Sequence, residues 1–328
     1  MVRKERVVVA VAEDKIDDYE VDSVTKLIKY YQWLLGTVLS RSFGLWEWLG
    51  IHIVPNHFYQ PIPDVRHLDD RLWERSSSLV GIDMDEQSQT ALLSRFHENY
   101  KPEYDRFPTR KTGRPFDYFV NNGGFESVDG EILYCTIRHF KPERIIEIGS
   151  GNSTYLAASA IQKNKEEDPE YACELIAIEP YPNRVLQDGF PNLSRLIEEP
   201  VQNVPFSVFE RLGENDILFI DSSHVLKVGS DVQYEYNEIL PRLNKGVLIH
   251  VHDIFLPFEY PKEWICWHHL FWTEQYLLQA FLTYNSAFEV VWGGYYMHRS
   301  HPELLEEAFS TYNREKIQPG SFWMRKVQ

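Results

Sequence analysis

Hydrophobic positions along this chain of 328 residues follow two different periods, one after the other rather than mixed. From about residue 125 onward, short β-branched runs alternate with longer stretches whose apolar positions recur every three or four residues. The runs Arg144–Ile148, Glu174–Glu179, Leu193–Ile197, Ile217–Asp221 and Val247–His252 have strand length and strand composition. Ser127–Phe140, Tyr155–Asn164, Phe206–Leu212, Val232–Leu240 and Trp272–Tyr284 read as helices. Phe288–Met297 and Ser321–Lys326 are strand-like and could close the sheet as an antiparallel edge hairpin. Uninterrupted apolar strands suit burial on both faces, and their alternation with helices implies an α/β fold. The expectation is a doubly wound, mostly parallel, Rossmann-like seven-stranded sheet over residues 125–328.

Residues 1–124 follow a different pattern and are expected to form a mainly helical or irregular extension, a lid or packing region. Val7–Val11 could form a short strand, and Val24, Leu27, Ile28, Tyr31 and Leu34 share one side of a helix within 21–50. Pro55, Pro61 and Pro63 then impose an irregular polar-aromatic segment, before a helix over Asp85–Tyr100 and a loop-like stretch from 101 to 124. The greasy stretch 33–54 is interrupted by Arg41 and Glu47, which argues against a membrane-spanning helix. Packing against the rest of the chain, or peripheral contact with a membrane surface, remains open to it.

The first strand leads into Glu147-Ile148-Gly149-Ser150-Gly151-Asn152-Ser153-Thr154. Gly149 and Gly151 permit backbone angles and close ligand approach that a Cβ would block, and Asn152 or Ser153 could cap the next helix. This makes a nucleotide-type pocket. A dinucleotide loop would carry a third glycine where Thr154 stands, and Glu147 is a poor neighbour for pyrophosphate. An acid there suits a ligand with a cationic end. The segment resembles the acid-x-Gly-x-Gly motif of the class I S-adenosylmethionine (SAM)-dependent methyltransferases. That resemblance implies that Glu147, Gly149, Ser150, Gly151, Asn152 and Ser153 receive the methionine end of SAM.

Ligands of open α/β sheets bind beyond the carboxyl ends of the strands, and here those ends carry Glu147, Glu179, Asp221 and Asp253. Carboxylates at four core strands are costly as packing, so they mark a crevice. Glu179 can accept both hydroxyls of a ribose. Asp221 and Asp253 would converge at neighbouring strand tips with His224, His250 and His252 close by in sequence. Oxygen ligands favour Mg²⁺, and an added histidine shifts preference towards Mn²⁺, Fe²⁺ or Zn²⁺. His252, at the strand end, is the expected histidine ligand with Asp221 and Asp253, whereas His250 reads as a core histidine.

The order of elements and the two acids look like the metal-dependent O-methyltransferases of the catechol and caffeoyl-CoA type, over roughly residues 125–328. By that resemblance Asp221 and Asp253 are metal ligands, His224 stands where those enzymes carry a catalytic lysine, Gln202 meets adenine, and Ile254 replaces an amide ligand. The blocks Glu126–Tyr134, Ile146–Thr154 and Ile220–His224 also resemble a bacterial group of uncharacterised class I methyltransferases. The function implied is methyl transfer from SAM to an oxygen of a small molecule, with Asp221 and His224 catalytic and His224 as base. His268, His269, Trp264, Trp267 and Tyr260 could wall the acceptor pocket. Two other readings use the same residues: a metal (Fe or Mg)-dependent hydroxylase-like enzyme, in which His224, His252 and Asp253 (or Asp221) could make a two-histidine, one-carboxylate Fe(II) triad, and a non-catalytic SAM-binding subunit.

Composition narrows the partners. A net charge of −16 argues against nucleic acid, with Arg106, Arg110, Lys111 and Arg114 as the nearest thing to a basic patch. Hydrophobic content of 43% and charged content of 25% are ordinary for a globular cytoplasmic protein, and a homo-oligomer stays open. Cys135, Cys173 and Cys266 show no paired spacing, so they read as buried thiols rather than a disulfide or zinc set.

Overall fold

The computed structural model describes residues 30–328 except 32, 33, 40, 55, 57 and 58. The expected strand Val7–Val11, the helix positions Val24, Leu27 and Ile28, and Pro55, His57 and Phe58 lie outside the described residues. The chain divides into two units, Met1–His67 and Leu68–Gln328. In the first, α1 (Phe43–Trp48) buries none of its residues. No described helix is long and apolar enough to cross a membrane.

In the second unit the described strands are β1 (Arg144–Ile148), β2 (Glu174–Ile178), β3 (Leu193–Ile197), β4 (Ile217–Ile220), β5 (Leu248–Val251), β6 (Phe288–Gly293) and β7 (Phe322–Lys326). They form one seven-stranded sheet in the order β3-β2-β1-β4-β5-β7-β6. β1 to β5 pair in parallel, and β7 runs antiparallel to both β5 and β6. The last two strands are not joined by a tight turn. α9 (Gly294–Ser300) and α10 (Pro302–Ala308) lie between them, and β7 inserts beside β5. The stretch expected as one strand over Phe288–Met297 therefore breaks at Gly293, where the chain turns into α9.

Alternation puts Ile145, Ile217, Phe219 and Leu248 in one core and Ile146, Ile148, Leu218, Ile220, Ile249 and Val251 in the other. A strand covered on both faces can spare no solvent-facing position, which explains the uninterrupted apolar runs. Truncating the fully buried Ile146 to alanine would cost about 2–5 kcal/mol. Helices α2 (Glu86–Tyr104), α3 (Asp129–Phe140), α4 (Asn152–Glu167), α5 (Arg184–Asp188), α6 (Asp231–Tyr234), α7 (Lys262–Cys266) and α8 (Glu274–Leu282) flank the sheet. The segments expected as helices over Phe206–Leu212 and Val232–Leu240 are less regular. The first is a 3₁₀ stretch (Phe206–Arg211), and α6 runs on into a π-helical turn (Glu235–Ile239).

The block Glu126–Tyr134 ties the start of α3 to the far end of the chain. Asp129 accepts the backbone N–H groups of Gly320 and Ser321, each at 2.9 Å. Glu131 accepts Val128 N–H at 2.7 Å and the Thr311 hydroxyl at 2.7 Å. These acids hold the connection that places β7 beside β5. Cys135 and Cys173 are buried free thiols, while Cys266 is only half-buried.

Candidate functional site

The parallel ladder continues one rung past the strands, so their tips align. Gly149 N donates to Ile178 O at 3.0 Å, Asp221 N to Ile148 O at 2.8 Å, and His252 N to Ile220 O at 2.9 Å. Gly149, at φ +78°, lies so close to the neighbouring tip that an added Cβ would stand 1.8 Å from Asp221 O. Neither Asn152 nor Ser153 caps α4. The Gly151 N–H is taken by Thr154 Oγ1 at 2.9 Å, Ser153 Oγ donates to Glu147 Oε1, and Asn152 Nδ2 donates to Asn122 Oδ1 at 3.0 Å. Thr154, which spoils the dinucleotide pattern, is thus the residue that closes the turn.

Beyond β1, β2 and β4 lies a cavity of about 420 Å³ lined by Gly149, Glu179, Tyr181, Gln202, Asp221, Ser223, Lys227 and Asp231. Glu179 accepts Ser150 N–H at 3.3 Å and Tyr181 N–H at 2.8 Å. Gln202 donates to Gly229 O at 3.0 Å, which leaves its Oε1 buried without a partner. Glu147 lies beneath the loop, 1% exposed, and burial pushes its carboxyl up to about 8 despite the Ser153 and Thr154 hydroxyls. Its Oε2 and the Ser150 hydroxyl are also buried without partners. Unsatisfied buried polar atoms are rare in folded proteins, and the one on Gln202, which lines the cavity, fits a polar ligand there.

Next to this cavity, Asp221, His224 and Asp253 place one ligand atom each within 4.8 Å of one another. His224 Nε2 lies 3.2 Å from Asp221 Oδ1 and 3.5 Å from Asp253 Oδ2. His224 (φ +59°) and Asp253 (φ +56°) both hold left-handed backbone conformations, the kind of strain that persists where surrounding structure enforces it. Gly320 O accepts Ile254 N–H at 2.9 Å and keeps the bend after Asp253 in place. His252 is not in the trio. Its Nε2 lies 3.7 Å from Asp253 Oδ1, and its ring packs against Phe125 and His250. One histidine and two carboxylates therefore meet, rather than the two histidines and one carboxylate of an Fe(II) triad. Ile254, where the resemblance puts an amide ligand, is buried in the apolar core. His250 stacks on Phe219 with centroids 3.8 Å apart, and its Nε2 lies 2.9 Å from Ser321 Oγ; burial drives its pKa well down.

A methyltransferase domain family model matches residues 146–254, which contain every tip residue named above. An uncharacterised protein of Archaeoglobus fulgidus is 34% identical over 187 residues, 55% of this chain and 82% of that protein. The chain carries a class I SAM-dependent methyltransferase domain. Among solved structures, the O-methyltransferase from Bacillus cereus in complex with SAH matches at 12% identity and a TM-score of 0.32, covering 73% of this chain and 91% of that one. The apo structure of CmcI-N160 matches at 14% identity and a TM-score of 0.34, covering 67% and 89%.

In this methyltransferase the Asp221, His224 and Asp253 cluster lies beside the cavity. Burial disfavours the charged forms. Even so, neighbouring His252 and His224 hold the Asp221 carboxyl down at about 2. Burial likewise works against a charged His224, but its bonds to Asp221 and Glu274 outweigh it and keep the ring protonated well above the ordinary histidine range. Burial raises the Asp253 carboxyl.

Two residues at this site were missed in the sequence. Glu274, fully buried, brings Oε2 to 2.9 Å from His224 Nδ1, and Trp272 packs on the His224 ring with centroids 4.4 Å apart. Both lie about 50 residues beyond His224 and outside the matched range, and the buried Glu274 opens a helix whose apolar pattern gives an acid no special meaning. Of the expected acceptor walls, Trp264 packs on Trp272 at 5.1 Å between centroids and Tyr260 is buried, while Trp267 is 73% exposed.

Proposed function

We propose that this methyltransferase moves the SAM methyl group to an oxygen of a small-molecule acceptor held beside Asp221, His224 and Asp253. The observation that carries the reading is this trio of ligand atoms within 4.8 Å, next to a donor cavity shared at Asp221. SAM, when bound, supplies an electrophilic sulfonium methyl. The chain then has to bind, orient and manage a proton. Glu147 Oε2 and Ser150 Oγ would meet the methionine end, Glu179 would accept the ribose hydroxyls, and Gln202 Oε1 would accept from the adenine amine. Gly149 leaves the space that brings the donor against Asp221.

A divalent cation suits the donor set of two carboxylates and one imidazole nitrogen, and Asp221, Asp253 and His224 Nε2 would hold it. It would supply Lewis acidity that lowers the pKa of an acceptor hydroxyl and would offset the charges that keep the proton on His224. With no cation on Nε2, the neutral form of His224 offers that same nitrogen, which faces the acids, to take the hydroxyl proton instead. Trp272 and Trp264 give the acceptor an apolar wall on the His224 side. Alignment of donor methyl and acceptor oxygen supplies much of the rate, because the sulfonium needs no further activation.

The deciding experiment is calorimetry with SAM and its demethylated product, with and without Mg²⁺ or Mn²⁺. Binding of both in the micromolar range and tighter binding of the acceptor in the presence of metal are expected. Absence of SAM binding at millimolar ligand would overturn the reading.

A further inference from the structure

His224 is gripped by the segment that opens α8. Its carbonyl oxygen accepts Thr273 N–H at 2.9 Å and Glu274 N–H at 3.1 Å. Its Nδ1 lies 2.9 Å from Glu274 Oε2, and its ring lies on Trp272. Two residues further on, Leu226 N–H is taken by Thr273 Oγ1 at 2.8 Å. The left-handed backbone of His224 is thus fixed by main chain and side chain together.

Glu274 contributes more than packing. Its carboxyl is fully buried, with the Tyr236 hydroxyl close by and no well-formed hydrogen bond to its Oε1. A buried carboxyl so poorly paired on one oxygen costs stability, and its one close bond is to His224. What it does is fix a ring. A carboxylate oxygen can only accept, so the Nδ1 facing it carries the hydrogen and Nε2 is the nitrogen turned towards Asp221 and Asp253.

We infer that Glu274 is a positioning residue of the methyl-transfer site. It sets the tautomer and orientation of the His224 ring, so that Nε2 is offered to a cation or hydroxyl group held between Asp221 and Asp253. This rests on the reading of that trio given above. Carboxylates behind metal-binding histidines act in this way generally, and their loss costs roughly 10–100-fold in metal affinity.

The test uses the full chain as wild type, Glu274→Gln and Glu274→Asp. Calorimetry reads SAM affinity, electron paramagnetic resonance of free Mn²⁺ reads metal affinity, and proton NMR reads the downfield His224 Nδ1–H signal, assigned by its loss in His224→Gln. In Glu274→Gln, Mn²⁺ should bind roughly 10–100-fold more weakly. The Nδ1–H signal should move upfield or vanish, and SAM affinity should stay within about threefold, because the donor cavity is not lined by Glu274. Glu274→Asp should restore part of the Mn²⁺ affinity. Wild-type Mn²⁺ affinity in Glu274→Gln, together with an unmoved Nδ1–H signal, would overturn the inference. If the wild type binds no Mn²⁺, the metal part of the proposed function fails, and the NMR signal alone decides Glu274. Its change in Glu274→Gln upholds the positioning role, and its persistence ends it.

Discussion

The Cα of Gly149 lies against the carbonyl of Asp221, so close that a Cβ on Gly149 would stand 1.8 Å from that oxygen. The glycine loop and the Asp221, His224 and Asp253 cluster therefore meet through backbone contact, and Asp221 belongs to both the cavity lining and the cluster.

Gly149→Ala should consequently damage both fold and donor binding. The added methyl meets backbone rather than a flexible side chain, and φ +78° disfavours any Cβ. A loss on the order of 2–4 kcal/mol in urea unfolding is expected, with SAM binding undetectable by calorimetry. Near-native stability with native SAM affinity would contradict the packing described.

Asp221 faces the cluster as well as the cavity, and its side chain should matter to chemistry more than to the donor. Asp221→Ala should abolish methyl transfer in a radiolabelled-SAM assay while leaving SAM affinity within about tenfold. A larger loss of affinity would show that the Asp221 carboxyl itself holds the donor.

Glu147 gives the fold a pH dependence whose sign is fixed. Its carboxyl rises from 4.5 in the ordinary range to about 8 through burial, with opposing hydroxyl bonds too weak to cancel it. Between these values the unfolded chain has released the proton and the folded chain still holds it. Stability from this group therefore falls as pH rises through that window, at up to about 1.4 kcal/mol per pH unit. Urea midpoints of Glu147→Gln should be flatter with pH than wild type and higher at pH 8, whereas its SAM affinity should drop. Parallel pH profiles for the two proteins would refute the assignment.

Gln202 Oε1 is buried and idle, while its amide nitrogen is already engaged by Gly229 O. If the oxygen serves the adenine amine, Gln202→Leu should weaken SAM by roughly 5–10-fold, the value of one ordinary hydrogen bond, without altering turnover at saturating donor. Unchanged affinity would leave Gln202 as a structural tie to Gly229.

The parallel core was legible because its physics is local in sequence. Ile145, Ile146 and Ile148 cannot be anything but buried on both faces, and the turn after them needs Gly149 for a positive φ and a close approach. β6 was overextended by four residues because Gly293-Gly294-Tyr295 continues the apolar run, and only packing turns it into α9. The expected caps of α4 failed for a similar reason: Asn152, Ser153 and Thr154 are all competent, and which hydroxyl meets Gly151 N–H is decided by Glu147 claiming Ser153.

Asp221 and Asp253 could be paired on paper, because adjacent parallel strands bring their tips together. The histidine could not. His224 and His252 both stand near those acids in sequence, and choosing between them needs the left-handed turn at His224, which swings its Nε2 between the two carboxylates. That turn is held by Thr273 and Glu274, residues far along the chain with no local mark of their role. The sequence by itself determined the parallel core, the glycine loop and the pair of acids, since strand burial and glycine geometry are written in neighbouring residues. Tertiary structure alone decided which histidine joins the acids and which of its nitrogens faces them, because that depends on a hydrogen bond closed across fifty residues of chain.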